Sequence, residues 1–204
     1  MPRSGLPVCT ACGVTLPGAF DAVRCCMTCR KAPPAFEMAR APWQYTGRMP
    51  EAVQQFKYHR RWRIGRWLAD AMAATAHTRL PLHDVDGVVP IPLHWLKRRL
   101  KGFDPVEQLA AGVARRLDKP LLSRVLRRTR WTATQAHLRG RARWRNVEGA
   151  FAAQAPSVGG RTLLLVDDVL TSGATAEACV LALKTAGARR VLVLAAARTP
   201  LAPR

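Results

Sequence analysis

The sequence has no long apolar run, because no stretch approaches the roughly 20 residues that a membrane-spanning helix needs. Its first eight residues are too few and too polar for a secretory signal. Internal repeats and low-complexity segments are also missing. These absences argue against a membrane or secreted protein. We expect a cytoplasmic protein with one ordinary domain and a small appendage.

Acidic residues are the second scarcity, with 13 Asp and Glu against 33 Lys and Arg and a formal net charge of +20 at pH 7. A balance so basic favours polyanionic partners. Two stretches concentrate the positive charge, at residues 97–101 and 124–145. Both are candidates to face anions, and Trp131 and Trp144, each flanked by arginine, are candidates to stack on the bases of single-stranded DNA.

Cysteine is almost confined to the first thirty residues, where five of the six cysteines lie. Cys9 and Cys12 form one Cys-x-x-Cys pair, and Cys26 and Cys29 form a second. Thiolates at this spacing chelate a tetrahedral zinc ion. Disulfides are the alternative, but a reducing cytosol disfavours them, and a short segment interrupted by Pro and Gly has little core of its own. We predict a structural Zn²⁺ on these four thiols, with Cys25 left out.

A second candidate site follows the apolar run at residues 163–166, where two adjacent carboxylates precede a hydroxyl-rich turn. The run predicts a buried parallel strand, and the turn lies where the next helix begins. Backbone N–H groups at a helix N-terminus favour phosphate, and Gly173 lets the backbone approach it. The two acids suit the paired hydroxyls of a ribose, and we expect no structural ion pair there. The candidate residues are Asp167, Asp168, Val169, Leu170, Thr171, Ser172, Gly173, Ala174 and Thr175.

This signature also has a plainer interpretation, because acidic pairs often end strands and serine-threonine turns often cap helices. The residues as they stand nevertheless resemble the site for 5-phosphoribosyl 1-pyrophosphate (PRPP) in type I phosphoribosyltransferases. The resemblance implies that Mg²⁺ accompanies PRPP. It also implies that the basic residues Lys97, Arg99 and Lys101 meet the pyrophosphate.

Predicted strands and helices alternate along the rest of the chain. Strands are expected at residues 42–45, 86–92, 121–126, 147–152, 163–166 and 191–196, and helices at 49–76, 105–117 and 176–186. Asp104 is the expected N-cap of the second helix, with Pro105 at its first position. The pattern predicts an α/β fold with a mostly parallel sheet flanked by helices. We place a cysteine-rich zinc module at residues 1–45 and a phosphoribosyltransferase-like domain at 46–204.

The chain resembles ComF-like competence proteins along nearly its whole length, since they combine a zinc module with a type I phosphoribosyltransferase domain. The matching positions are the four predicted zinc ligands, residues 89–94, Gly102, Phe103, Thr132, Gln135, Leu138, Arg143, Asn146, Val147, Gly149, Phe151 and residues 167–175. One departure is clear: Asp104 and Pro105 stand where the family usually carries Asn-Gln after Gly-Phe.

The resemblance implies a PRPP-binding protein of DNA uptake or of the processing of incoming DNA, with single-stranded DNA and a competence or helicase protein as partners. The alternative is an active, Mg²⁺-dependent phosphoribosyltransferase of nucleotide salvage or biosynthesis. The sequence shows no identifiable nucleobase pocket or catalytic base, so neither the acceptor nor the transfer itself can be assigned from it.

Overall fold

The computed structural model describes residues 7–17, 24–59, 61–93, 103–130 and 147–201. The helices are α1 (Met27–Lys31), α2 (Met49–His59), α3 (Trp62–Arg79), α4 (Pro105–Arg116), α5 (Ala155–Val158) and α6 (Ala174–Thr185), with a 3₁₀ turn at Leu82–Asp84. The strands are β1 (Met38–Arg40), β2 (Trp43–Gln44), β3 (Gly87–Pro90), β4 (Leu126–Arg128), β5 (Phe151–Ala153), β6 (Thr162–Leu170) and β7 (Arg190–Arg198).

The main sheet has the order β1-β7-β6-β3, with β2 also paired to β7, and every pair in it is parallel. Strands β4 and β5 form a separate antiparallel pair. This topology, with helices around the sheet, confirms the predicted α/β fold with a mostly parallel sheet. Strands β1 and β2 precede residue 45 and yet pair with β7, and the division into two domains stays a prediction.

The sheet is buried on both faces, which explains the continuous apolar runs of its central strands. On one face, Leu163 and Leu165 of β6 pack in a cluster with Val180 and Leu183 of α6 and with the buried cysteines. On the other face, Leu164 and Val166 join a cluster that includes residues of α2, α3 and α4. The central strands are therefore the core that positions everything else.

Helix α4 begins as expected, because Asp104 Oδ1 accepts hydrogen bonds from the N–H groups of Val106 and Glu107 at 3.0 and 3.2 Å. The single helix expected at 49–76 is instead two helices, α2 and α3, which end at His59 and begin at Trp62. Among the described residues, no helix is long and apolar enough to cross a membrane.

Strand β6 is longer than the apolar run indicated. It continues through both acidic residues to Leu170, because main-chain pairing with β7 extends to Arg198. The acids therefore lie inside the last part of the strand and do not follow it. Helix α6 likewise begins two residues before the predicted position, at Ala174.

Candidate functional site

The turn between β6 and α6 is the candidate anion site that the sequence predicts. Gly173 is the N-cap of α6 and has a φ of +87°, in the left-handed region where glycine is favoured. Nothing lies within 4 Å of a Cβ placed on Gly173, so the space beside the turn is open. Ser172 Oγ accepts from the N–H of Ala174 at 3.4 Å. The N-terminus of a 12-residue helix thus faces open space across a hydroxyl-bearing turn.

The two carboxylates do not point the same way, because successive side chains of a strand leave opposite faces. Asp168 pairs with Lys57 of α2, so it lies on the face that packs against α2 and α3. Asp167 lies toward the other face, where its charge acts on Cys179 of α6 and Arg128 of β4. The side-by-side arrangement expected for a strand end does not occur, since the strand continues through the pair.

Asp168 forms an ion pair, which overturns the expectation that the acidic residues would form none. Lys57 Nζ lies 2.6 Å from Asp168 Oδ2, and the side chains are only 27% and 9% exposed. Burial lowers the pKa of the Lys57 ammonium, but the attraction of Asp168 outweighs it and the net pKa is raised. Sequence reasoning missed this residue, since nothing in the pattern of α2 sets Lys57 apart from the other basic residues nearby.

Asp167 has the more unusual environment. Burial raises its pKa to about 7, the neighbouring Asp168 carboxylate acts in the same direction, and Lys57 opposes them. Its Oδ1 accepts a hydrogen bond from the N–H of Asp168 at 2.8 Å. A carboxyl group in this state exchanges its proton near neutral pH, whereas an ordinary aspartate does so near pH 4.

Arg198, at the end of β7, is a further residue that the sequence did not reveal. Its guanidinium donates to the carbonyl oxygens of Leu170 at 2.9 Å and Cys12 at 3.2 Å, and also to that of Thr171. The side chain thus ties the start of the turn to the cysteine module. Arg198 pairs with Leu170 in the β6–β7 register. Knowledge of that register would have been enough to predict that Arg198 lies beside the turn.

The four predicted metal ligands come together. The Sγ atoms of Cys9, Cys12, Cys26 and Cys29 all lie within 4.8 Å of one another, and those of Cys12 and Cys26 are 3.8 Å apart. Four sulfurs at about 2.3 Å from a tetrahedral zinc ion are about 3.8 Å apart, so the cluster fits such an ion. All four cysteines are buried.

Charge and hydrogen bonding distinguish these thiols. Burial raises the pKa of Cys12, and the positive charge of Arg198 works against that rise. Burial also acts to raise the pKa of Cys9, but backbone N–H groups, led by that of Cys26, outweigh it and bring the pKa to about 6. Cys25 lies 3.8 Å from Cys9 by its sulfur and stays outside the four-thiol cluster, as predicted.

The cysteine module borders the turn directly. Glu177 of α6 accepts a hydrogen bond from the N–H of Ala35 at 2.8 Å. A cavity of about 390 Å³ lies between the cysteine module and the turn. Its lining residues include Cys12, Phe36, Thr171 and Glu177. The module and the turn at the start of α6 are therefore adjacent.

The structure describes only part of the two basic stretches that the sequence predicts to face anions. Lys97, Arg99 and Lys101 lie outside the described residues, as does the 131–146 part of the second basic stretch with Trp131 and Trp144. Of the described part, Arg130 donates to the carbonyl oxygen of Glu148 at 2.7 Å, and Arg128 lies 5.3 Å from the ring centroid of Phe151. The roles predicted for these stretches stay predictions.

No protein-family model matches the chain. DNA utilization protein YhgH of Salmonella typhi is 34% identical over 203 residues, which cover 97% of this chain and 86% of that protein. Competence protein F of Haemophilus influenzae is 27% identical over 197 residues, with 94% and 85% coverage. Among solved structures, the chain is similar to glutamine PRPP amidotransferase from B. subtilis complexed with ADP and GMP. That match has a TM-score of 0.47 and 21% identity, and it covers 69% of this chain and 30% of that one.

Proposed function

Because this chain belongs to the ComF-like family of DNA utilization protein YhgH, we propose that it binds PRPP or a related ribose 5-phosphate and acts in DNA utilization. The family membership confirms the resemblance identified from the sequence motifs. Competence protein F, a further relative, bears a name that points to DNA uptake. The role in DNA uptake or in the processing of incoming DNA is the function that the motifs and the relatives jointly support.

The observation that carries the ligand proposal is the turn at the start of α6. The 5′-phosphate would lie against the N–H groups of the turn and of the first helical residues, with hydroxyl donors from Thr171 and Ser172. Asp167 and Asp168 would contact the ribose hydroxyls and the Mg²⁺ that accompanies PRPP, and because their side chains leave opposite faces of β6 they would approach the ligand from its two sides. Since Lys57 already holds Asp168, the ligand competes with this ammonium for the carboxylate.

Zinc is the proposed structural metal of the four-thiol cluster, where its charge would stabilise the thiolates against the cost of burial. Through Arg198 and Glu177, the folded module supports the turn from one side. Its proposed contribution is to hold the turn in place, and the metal takes no part in any reaction.

Single-stranded DNA is the second proposed ligand, supported by the charge of +20 and by the relatives' names. Electrostatic contacts with a single strand weaken with a slope of about −0.7 per phosphate in a plot of log affinity against log salt. Contacts with four to six phosphates would give a slope near −3 to −4. A competence or helicase protein is the proposed protein partner.

The alternative function is transfer of the phosphoribosyl group to a nitrogen nucleophile. The raised pKa of Asp167 favours it, because a carboxyl group that titrates near pH 7 is suited to general acid and base roles.

A ligand panel separates these functions. Thermal shift and calorimetry with PRPP, nucleoside monophosphates and short oligonucleotides, each with and without Mg²⁺, report binding through the stabilisation of the folded state. We expect stabilisation by PRPP with Mg²⁺ and by oligonucleotides. Pyrophosphate release from PRPP in the presence of a panel of bases would instead support the transferase.

A further inference from the structure

The cleft between α3 and α4 carries exposed aromatic and polar side chains that the proposed PRPP site does not use. Its volume is about 280 Å³, close to the lower end for small-ligand pockets, and its lining includes Phe56, Trp62, Arg66, Gln108 and Arg115. Such a volume suits a single ring system better than a whole nucleotide. The cleft is thus a candidate for one flat group of a larger ligand.

Trp62 stands at the edge of this cleft, and it is 43% exposed although it is a large apolar side chain. Its ring contacts the ring of Phe103 edge-on, with centroids 5.5 Å apart. This contact holds the indole against the residues that precede α4. Trp67, on the same helix, is similarly exposed at 41%, but one face of its ring is covered by stacking on Trp43, with centroids 4.4 Å apart. Trp62 therefore presents a ring that is both held in place and open to solvent.

Two glycines bring the helices together around the cleft. A Cβ on Gly65 would lie 2.5 Å from Cε2 of Phe56, and a Cβ on Gly112 would lie 2.9 Å from that of Ala69. Larger residues would force α3 away from α2 and α4. The close packing leaves the Trp62 ring at the margin of the cleft and puts basic side chains around it.

Two exposed arginines line this surface, and we call them the rim arginines: Arg66 and Arg115. Within the described ranges, neither of the rim arginines lies within ion-pair distance of a carboxylate. Arg116 differs, since it pairs with Asp70. The positive charge of the rim is consequently not neutralised by the described part of the protein.

Polyanion binding and base stacking are the two requirements for recognition of single-stranded nucleic acid, and this surface supplies both. We propose that the α3–α4 cleft binds one base of single-stranded DNA, stacked on Trp62, while the rim arginines contact the flanking phosphates. The Gln108 side chain, an amide with donor and acceptor, lies in the cleft where it can meet a base edge. Sequence preference is weak, because every base has a face that can stack.

This inference rests on the proposed DNA binding, but it assigns a base contact to residues of α3 and α4 that the two predicted basic stretches do not include. Helix α2 links the cleft to the PRPP site, since it carries Phe56 at the cleft beside Lys57 at Asp168. A strand bound at the cleft would therefore lie close to the candidate PRPP site.

The first test compares two double charge reversals by fluorescence anisotropy with a labelled oligothymidylate. Arg66→Glu with Arg115→Glu changes the cleft rim, and Arg161→Glu with Lys184→Glu makes the same change of charge at exposed positions near the amino ends of the strands. We expect the rim variant to bind at least tenfold more weakly than the control and to lower the salt slope by about 1.4, or 0.7 for each lost phosphate contact. Equal losses in the two variants would overturn the inference.

The second test addresses stacking. Trp62→Leu should weaken binding by about 5- to 100-fold, while Trp62→Phe, which keeps a ring, should retain most of the affinity. Photocrosslinking to an oligonucleotide with 5-iodouracil, mapped by mass spectrometry, should label Trp62 in the wild-type chain. Crosslinks confined to other regions, with wild-type affinity in Trp62→Leu, would place the DNA elsewhere and leave the proposed function standing. A wild-type chain that binds no oligonucleotide would remove the DNA-binding proposal and this inference together.

Discussion

The cysteine module and the central sheet are adjacent, but different forces hold them. The central strands bury Leu163, Leu165, Leu192 and Leu194 completely, and each such side chain contributes roughly 1.5 to 3 kcal/mol by burial. The module buries its four clustered thiols, but among large apolar side chains it buries only Val14, Phe36 and Trp43 in the described residues. We expect a module of this composition to depend on a metal ion, whereas the sheet is stabilised by its own core. Loss of the metal and loss of a core side chain should therefore damage different parts of the protein.

The largest effect is expected from metal removal. Structural zinc contributes about 10 to 16 kcal/mol to small zinc-binding modules, so chelation should unfold the segment up to Lys31 while the sheet remains folded. Hydrogen exchange should show fast exchange confined to that segment. Metal analysis should find one zinc ion per chain.

The matched control for this prediction is the neighbouring pair of cysteines. Cys26→Ser should lose the metal, and Cys25→Ser should keep it, because only Cys26 belongs to the four-thiol cluster. Full metal in Cys26→Ser, or loss of metal in Cys25→Ser, would show that the ligand assignment is wrong.

Truncation of a core side chain should destabilise the sheet, whereas metal removal should unfold only the cysteine module. Leu192→Ala removes a fully buried side chain of β7 and should lower the free energy of unfolding by about 2 to 5 kcal/mol. Urea denaturation of the zinc-loaded protein measures this change. Leu181 of α6, which is 52% exposed, provides the control. Leu181→Ala should lower the free energy of unfolding far less than Leu192→Ala. Similar losses in the two variants would contradict the assignment of the sheet as the stabilising core.

An intermediate effect is expected where α2 meets the sheet. Asp168→Asn removes the partner of Lys57, and because this pair is largely but not fully buried we expect a loss of about 1 to 2 kcal/mol. Asp70→Asn breaks the more exposed pair with Arg116 and should cost less than about 1 kcal/mol. Urea denaturation of both variants would test the difference, and an equal cost would mean that the Lys57 pair contributes no more than a surface contact.

The last stability prediction concerns pH. The pKa of Asp167 is higher in the folded chain, about 7, than in an unfolded chain, so the folded state binds its proton more tightly. The resulting stability is fully present below about pH 4 and is lost as the pH rises through 7. The stability difference between wild type and Asp167→Asn should therefore change across this window. A pH-independent difference between pH 4 and 8 would show that Asp167 has an ordinary pKa.

The sequence was most informative where one local pattern suffices. The two Cys-x-x-Cys pairs predicted the four-thiol cluster, and Asp104 with Pro105 predicted the start of α4. The parallel sheet was predicted from continuous apolar runs that alternate with helical segments along the chain. Strands buried on both faces need such runs, because both of their faces carry apolar residues. Each of these features depends on residues close together in the chain or on a repeated pattern.

Features that depend on distant contacts escaped prediction. The extension of β6 through Asp168 requires pairing with β7, and the ion pair with Lys57 requires the packing of α2. Arg198 links Cys12 to Thr171 across more than a hundred residues of chain. No local pattern contains such information, since the partners meet only after the fold has formed.

The central claim is that the turn and the two acids at the end of β6 form a PRPP site, and calorimetric titration with PRPP and Mg²⁺ tests it most directly. The wild-type chain should bind, and Asp167→Asn combined with Asp168→Asn should bind tenfold or more weakly. The reason is that hydrogen bonds to charged groups contribute roughly 1.5 to 3 kcal/mol each. A circular dichroism spectrum that matches wild type, with folded zinc-loaded protein in both samples, serves as the control. No binding of PRPP or of any ribose 5-phosphate by the wild-type chain, or undiminished binding by the double variant, would contradict the claim.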